Sequence, residues 1–485
     1  MRTCRNRHII LCTLIIADTL FLAFIMIVIP AHPSDGVIIA WEKIMGTSED
    51  DYYGYVASDG KYIYVVGGKS RDSNTNIFVA KLDANGNKVW QIEWGYGGLE
   101  LPSGISIYNN IIYVSGWIYN STKWSYDIFM LGIDTNGNII WQSTWDSNLN
   151  DMMTHDLYWA ADRNIYACDK GIFVVGTTEH YGITKIAVLR YSHSGELIWE
   201  TTWRDYSKAT SIYVDQDRIY VLGTTSSGYN KHTVVLIYNL NGTLTHTIEY
   251  EKRFIGKGIV VYNGEIFLCG HKGETTAIIL KSDTKGNIGW IYSYSEGDGC
   301  IANDILIHKK SLYIAGDIER SGLSPHPEIF IAKITLHGKK VWLAKIKDDD
   351  QRSNPHISIS NSHIYTSGRI VRLESSGDIF ITDLQIDDDL DGLSNIKEKE
   401  LGTDPYNRDT DGDMFWDGTE TFIHSDPKNK YTPLAYFIAI IIPPLTNIII
   451  CLIKNYKHDQ TPARTKKSNI LRKNSTNKAI KNIEC

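Results

Sequence analysis

The sequence predicts an all-β chain folded as a seven-bladed β-propeller, and three observations predict it. An apolar strand ending in glycine recurs seven times, at Gly67, Gly116, Gly176, Gly223, Gly270, Gly316 and Gly368. A second apolar strand follows each one, from IFVAKL at Ile77 to IFITDL at Ile379. The glycines stand 49, 60, 47, 47, 46 and 52 residues apart, and four-stranded units of about 40–50 residues are propeller blades.

The remaining strands of each unit follow from the same pattern. A turn ending in glycine leads to a third strand with an aromatic four residues on: Gly86/Trp90, Gly137/Trp141, Gly195/Trp199, Gly286/Trp290 and Gly338/Trp342, with His246 in that place after Gly242. A short strand such as GISIY from Gly104 precedes each glycine strand. The seventh turn is missing, because IFITDL runs straight into an acidic segment. An unpartnered strand, VIIAWEKIM from Val37 to Met45, precedes the first unit. Pairing it with IFITDL would complete the last blade and close the ring, so the propeller spans residues 37–386. Trp90/Trp94, Trp141/Trp145 and Trp199/Trp203 are each four apart and share a strand face, which suits packing between blades.

Composition agrees. The chain has 485 residues with 29 Tyr, 13 Trp and 39 Gly against 12 Pro, a balance that favours short strands and tight turns. The net charge is −7 but uneven. Residues 387–426 carry 13 acids against three bases, a net of −10, and residues 454–485 carry nine bases against two acids, a net of +7. An acidic middle and a basic end argue against nucleic acid as partner. Seven scattered cysteines make no disulfide framework and no metal spacing. Within the repeats, Cys269 and Cys300 are the pair a bridge could join. The interval after Asp146 is the longest and suggests either an extended blade loop or a neutral insertion. Asn120 and Asn241 head glycosylation sequons.

The repeat FVAKLDANGNKVW, then GISIYNNIIYVSGW, resembles the seven-bladed propeller repeat of bacterial and archaeal surface proteins. That resemblance covers residues 37–386 and implies display at a cell surface. The units are also similar to the blades of pyrroloquinoline-quinone dehydrogenases. Here, however, Asp83 stands three before Gly86 and no Thr precedes the glycine, which departs from the quinone pattern. Asp-box sialidases are similar too, with glycine and tryptophan one residue closer than here.

The acidic segment carries two copies of one spacing. DDDLDGLSNIKE offers Asp387, Asp389, Asp391, the Leu393 carbonyl, Asn395 and Glu398 at positions 1, 3, 5, 7, 9 and 12, with Gly392 at position 6. DTDGDMFWDGTE offers Asp409, Asp411, Asp413, the Phe415 carbonyl, Asp417 and Glu420, with Met414 where glycine is expected. All-oxygen donors at this spacing are a Ca2+ loop. A turn lacking its glycine is expected to be strained and its site the weaker. The pair, within residues 387–427, resembles the thrombospondin type 3 calcium repeats of surface proteins, which implies a calcium-binding stalk.

The ends read as membrane segments. Arg2, Arg5 and Arg7 precede an apolar run from Ile9 to Ile29 holding Asp18. Residues 1–31 are therefore a signal peptide or an N-terminal anchor. Residues 433–453 form an uncharged apolar stretch of spanning length, with Pro443 and Pro444 inside it. The basic tail, residues 454–485, should stay in the cytoplasm and leave the propeller outside.

Together these features predict a propeller anchored at the cell membrane on a calcium-stiffened stalk. It would act as a non-enzymatic binding or adhesion module for an extracellular protein or glycan. The alternative is a hydrolase or quinoprotein working at the central face. No convergent acid, base and nucleophile is legible in the sequence.

Overall fold

The computed structural model describes residues 34–432, apart from positions 48, 73, 148–149, 153–162, 228–229, 251–253, 274, 320–326, 347–349 and 372–376. The segments 1–31, 433–453 and 454–485, with the membrane readings made on them, lie outside the described residues. Among the described residues, no helix is long and apolar enough to cross a membrane.

Seven antiparallel sheets follow one another, formed by residues 52–94, 100–145, 150–205, 207–250, 254–294, 299–346 and 351–386. The seventh takes Val37–Met45 as its outermost strand, paired with Gly377–Ile386 from Val37↔Ile386 to Met45↔Ile379. Alternate apolar residues of each strand face the neighbouring sheets, so the core is a series of layers between blades. Tyr64, Val66 and Val79 of the first sheet pack with Val114, Phe129 and Leu131 of the second. Val56, Phe78 and Ala80 of the first also pack with Tyr365, Ile379 and Ile381 of the seventh.

The glycine and tryptophan motifs acquire their reasons here. Six innermost strands carry a bulge near their start, at Tyr53, Ser103, Thr210, Lys257, Asn303 and Asn354–Pro355. The bulge pushes a carbonyl toward the next strand. A Cβ on Gly116 or Gly270 would lie only 2.2 Å from the Leu101 oxygen or 2.0 Å from that of Ile255. Where the bulge is present, it demands the strand-ending glycine beside it.

Four of the motif tryptophans latch onto the following blade. Trp90, Trp141, Trp199 and Trp290 donate through Nε1 to Thr135, His193, Leu240 and Leu336 oxygens at 2.9–3.0 Å. Their indoles lie against Gly137, Gly195, Gly242 and Gly338 of those next turns. Trp41, on the last sheet, makes the same latch to the first, donating to Ala84 O at 2.9 Å beneath Gly86. The missing seventh turn is supplied from the N-terminal side. Gly36, at φ +107°, places its α-carbon against the Trp342 indole, where a Cβ would lie 2.3 Å away.

The insertion of the third unit falls within the innermost strand and divides it in two. Asn150–Met152 and Ile165–Cys168 both pair with Gly171–His180. The insertion's last turn brings Arg163 across the molecule. Its Nε donates to Asp304 Oδ1 at 2.6 Å and its Nη2 to Ile357 O at 2.6 Å. Cys269 and Cys300 do not form a bridge; both are buried thiols, and Cys300 Sγ donates to Glu296 O at 3.2 Å. Of the sequons, Asn241 is exposed, while the Asn120 amide nitrogen donates to Asp127 at 3.0 Å.

Candidate metal centre

The acidic segment leaves the last strand at Asp387 and folds into two loop–helix units. Their helices are α1 (Asn395–Leu401) and α2 (Asp417–Phe422). The first unit is docked on the propeller. Asp387 N donates to Gly36 O at 3.1 Å, Ser34 Oγ to Asp387 Oδ2 at 2.6 Å, and Ser394 Oγ to Gln385 Oε1 at 2.8 Å. Lys333 of the sixth sheet forms a largely buried ion pair with Asp388.

The two loops share one internal design. The carboxylate at position 1 accepts from the amides of positions 4 and 6: Leu390 and Gly392 to Asp387, Gly412 and Met414 to Asp409. The carboxylate at position 5 accepts from position 7, at 2.8 Å from Leu393 to Asp391 and from Phe415 to Asp413. These bonds curl the chain so that its acids converge. Asp387, Asp389 and Asp391 bring carboxylate oxygens within 4.8 Å of one another, and so do Asp409, Asp411 and Asp413. Both helices present a fourth acid from their first turn, Glu398 and Glu420, and both are buried.

The convergence is electrostatically unfavourable as it stands. No hydrogen-bond donor reaches either oxygen of Asp389, Glu398 or Asp411, nor Oε2 of Glu420. Burial, then the charges of Asp389, Asp391, Asp387 and Asp417, pushes Glu398 up to about 9. Burial and the nearby Asp413, Asp411 and Asp417 push Glu420 up to about 8. Asp389 rises to about 7 and Asp391 to about 6, again chiefly through burial. Buried like charges of this kind need a counter-charge or a proton. The donor set is all oxygen, which suits a hard divalent cation.

Position 9 behaves otherwise than the spacing suggests. Asn395 engages both ends of its amide with Asp388, accepting from its N–H and donating to Oδ2, each at 3.0 Å. Asp417 accepts from Thr410 N at 2.9 Å and Thr410 Oγ1 at 2.6 Å. Both side chains latch the loop at position 2. Both loops carry backbone strain. Met414 does adopt φ +79°, but the first loop has its own left-handed residue, Leu390 at +67°, where the second has Gly412. The loops exchange one strained position for another, so the missing glycine does not by itself make the second site the weaker.

A separate polar group gathers at the bulges of three neighbouring innermost strands and was not legible in the sequence. Lys257, Asn303 and Asn354 come from bulges of neighbouring blades. Asn303 Nδ2 donates to Asp317 Oδ2 at 2.5 Å and Asn354 N to Asp317 Oδ1 at 3.0 Å. Burial raises Asp317 to about 7. Burial, with Lys257 nearby, lowers His271 to about 4.

No protein-family model matches the chain, and no curated protein matches it significantly. Solved structures do. A protein of unknown function from Dyadobacter fermentans is 11% identical, over 72% of this chain and 99% of that one, with a TM-score of 0.43. The β-propeller domain of the Trilobed protease from Pyrococcus furiosus is 13% identical, over 70% and 96%, with a TM-score of 0.44. The acylaminoacyl peptidase of Pyrococcus horikoshii is 10% identical, over 68% of this chain and 51% of that one, with a TM-score of 0.42. These likenesses concern the fold.

Proposed function

We propose that the chain is a membrane-anchored extracellular propeller that acts as a binding or adhesion module, held at the surface by a calcium-loaded loop pair. Asp387, Asp389, Asp391, the Leu393 carbonyl and Glu398 would hold one ion. Asp409, Asp411, Asp413, the Phe415 carbonyl and Glu420 would hold the second, resembling thrombospondin type 3 repeats. The observation that carries this reading is the set of buried carboxylate oxygens of Asp389 and Glu398 that no donor reaches, in a loop bonded to the propeller through Ser34 and Asp388. The loop pair lies in the sequence between the propeller and the apolar segment 433–453. An ion there would stiffen the connection between them, because coordination energy becomes folding energy. Extracellular calcium sites work at ~10⁻⁴–10⁻³ M, so modest affinity suffices.

The test is protease protection of the full chain in right-side-out membrane vesicles. External protease should release the propeller, spare the basic tail, and cut residues 402–432 faster when calcium is chelated. Cutting at equal rates with and without calcium would reduce the segment to an acidic linker.

A second reading, an enzyme working at the central face, is supported by Asp317 and His271. Perturbed, buried ionisable groups gather at active sites as well as in structural networks. A hydrolase panel in which Asp317→Asn abolishes turnover would favour it.

A further inference from the structure

We propose that the cleft between the first and seventh blades, at the mouth of the channel, is a binding site for a neutral carbohydrate. This deepens the binding-module reading and rests on it. The cleft holds about 560 Å3 and is lined by Tyr52, Tyr53, Asn354, Arg369, Asp50 and Glu49, among others. That volume lies within the range of small-molecule sites, ~300–1,000 Å3.

Two of its walls are strained. Tyr53 sits at φ +54° and Asn354 at φ +51°. Most other left-handed Asn and Lys residues of the chain occupy hairpin turns, such as Asn109, Asn263 and Lys309, where positive φ is the rule. Tyr53 and Asn354 instead lie in the bulges of two adjacent innermost strands. A bulky residue at positive φ is an outlier. Bulges re-aim side chains, and these two aim theirs into one cleft. Strain retained by two residues facing one cavity points to a ligand.

The chemistry of the lining selects the ligand class. Tyr53 is held by a chain of rings: Tyr52 at 6.3 Å, Tyr55 stacked at 6.4 Å, and His356 against Tyr55 at 4.3 Å. An immobilised aromatic surface suits the C–H face of a pyranose. Around it stand acceptors, Glu49 and Asp50, and donors, Asn354 and Arg369. Arg369 Nη2 meets Asp50 Oδ1 at 3.2 Å, while its Nε is buried with no acceptor in reach. Donors and acceptors beside an aromatic wall match the hydroxyls and C–H face of a sugar. Two acids beside one paired arginine disfavour an anion.

The test uses the full chain in lipid nanodiscs, probed on a printed panel of neutral hexose and N-acetylhexosamine oligosaccharides beside uronate-containing ones. Hits are then titrated against Tyr53→Gly and Asn354→Gly. Glycine accepts positive φ, so Asn354→Gly should melt at or above the parent temperature, while Tyr53→Gly also loses the ring contacts with Tyr52 and Tyr55 and should melt lower, its binding being read below its own midpoint. Both variants should lose at least tenfold in affinity for a neutral sugar. The inference is overturned if no neutral oligosaccharide binds saturably, if only uronates bind, or if both glycine variants bind like the parent. Protein-mediated surface binding that persists in both variants would leave the binding-module reading standing and sink this one. Loss of vesicle display or of calcium dependence would sink that reading while leaving the sugar titration intact.

Discussion

The amide nitrogen of Gly418 donates to Asp391 Oδ2 at 2.8 Å and so joins the two acidic loops. Gly418 belongs to α2, in the second loop, and Asp391 is position 5 of the first. The fit is close: a Cβ on Gly418 would lie 2.1 Å from the Asp391 carbonyl oxygen. Glycine is required here by proximity. Gly418→Ala should therefore separate the loops, costing about 1–3 kcal/mol as an overpacked contact does. Calorimetric calcium titration should show two independent sites in the variant where the parent shows coupled ones. An unchanged isotherm would mean that the loops bind separately.

Met414 offers a gain. It is 91% exposed and packs on little, yet holds a left-handed backbone at φ +79°. Met414→Gly should stabilise the segment by about 1 kcal/mol, the usual penalty of that region for a residue with a side chain. The calcium midpoint of the second loop should tighten several-fold. Leu390→Gly should gain less, since Leu390 also packs against the core between the sixth and seventh sheets. Differential scanning calorimetry of the two variants checks the order.

The pH dependence has a definite sign. Glu398, Glu420, Asp389 and Asp391 are raised to about 9, 8, 7 and 6 in the metal-free fold. The native state then binds more protons than the unfolded chain. The stability these groups contribute is present below the ordinary carboxylate range, about pH 4, and is lost as pH rises toward 9. Bound calcium favours the ionised form and reverses the trend. The melting-temperature difference between calcium and chelator should be near zero at pH 4 and widen steadily to pH 9. A constant difference would show that these acids are not the ligands.

The outermost strand of the seventh sheet tests how the ends are joined. Deleting residues 37–45 removes the partner of Gly377–Ile386 and the Trp41 latch to Ala84. A bare edge of apolar strand invites association. The variant should misfold or elute as oligomers in size-exclusion chromatography. Trp41→Phe keeps the ring but loses the donated hydrogen bond, and should cost about 1 kcal/mol. A monomeric deletion variant with unchanged melting would show that the strand is dispensable.

Much of this was legible from residue order. Alternation of apolar side chains at IYVVG and IFVAKL marks strands because the strand period is two residues. Seven recurrences count the sheets. The acid spacing from Asp387 to Glu398 marks a loop because its hydrogen bonds reach at most a few residues. All of these are local, and local geometry is written in local sequence. The tertiary structure decided whatever depends on residues far apart in the chain. It set Gly36 against Trp342 in place of a missing turn and carried Arg163 across to Asp304. It bonded Asn395 to Asp388 and placed Tyr53 and Asn354 on one cleft. Strand-ending glycines could be counted in advance, but not explained. Their cause is a bulge in a neighbouring strand, and a bulge is a mismatch between two strands that neither carries alone.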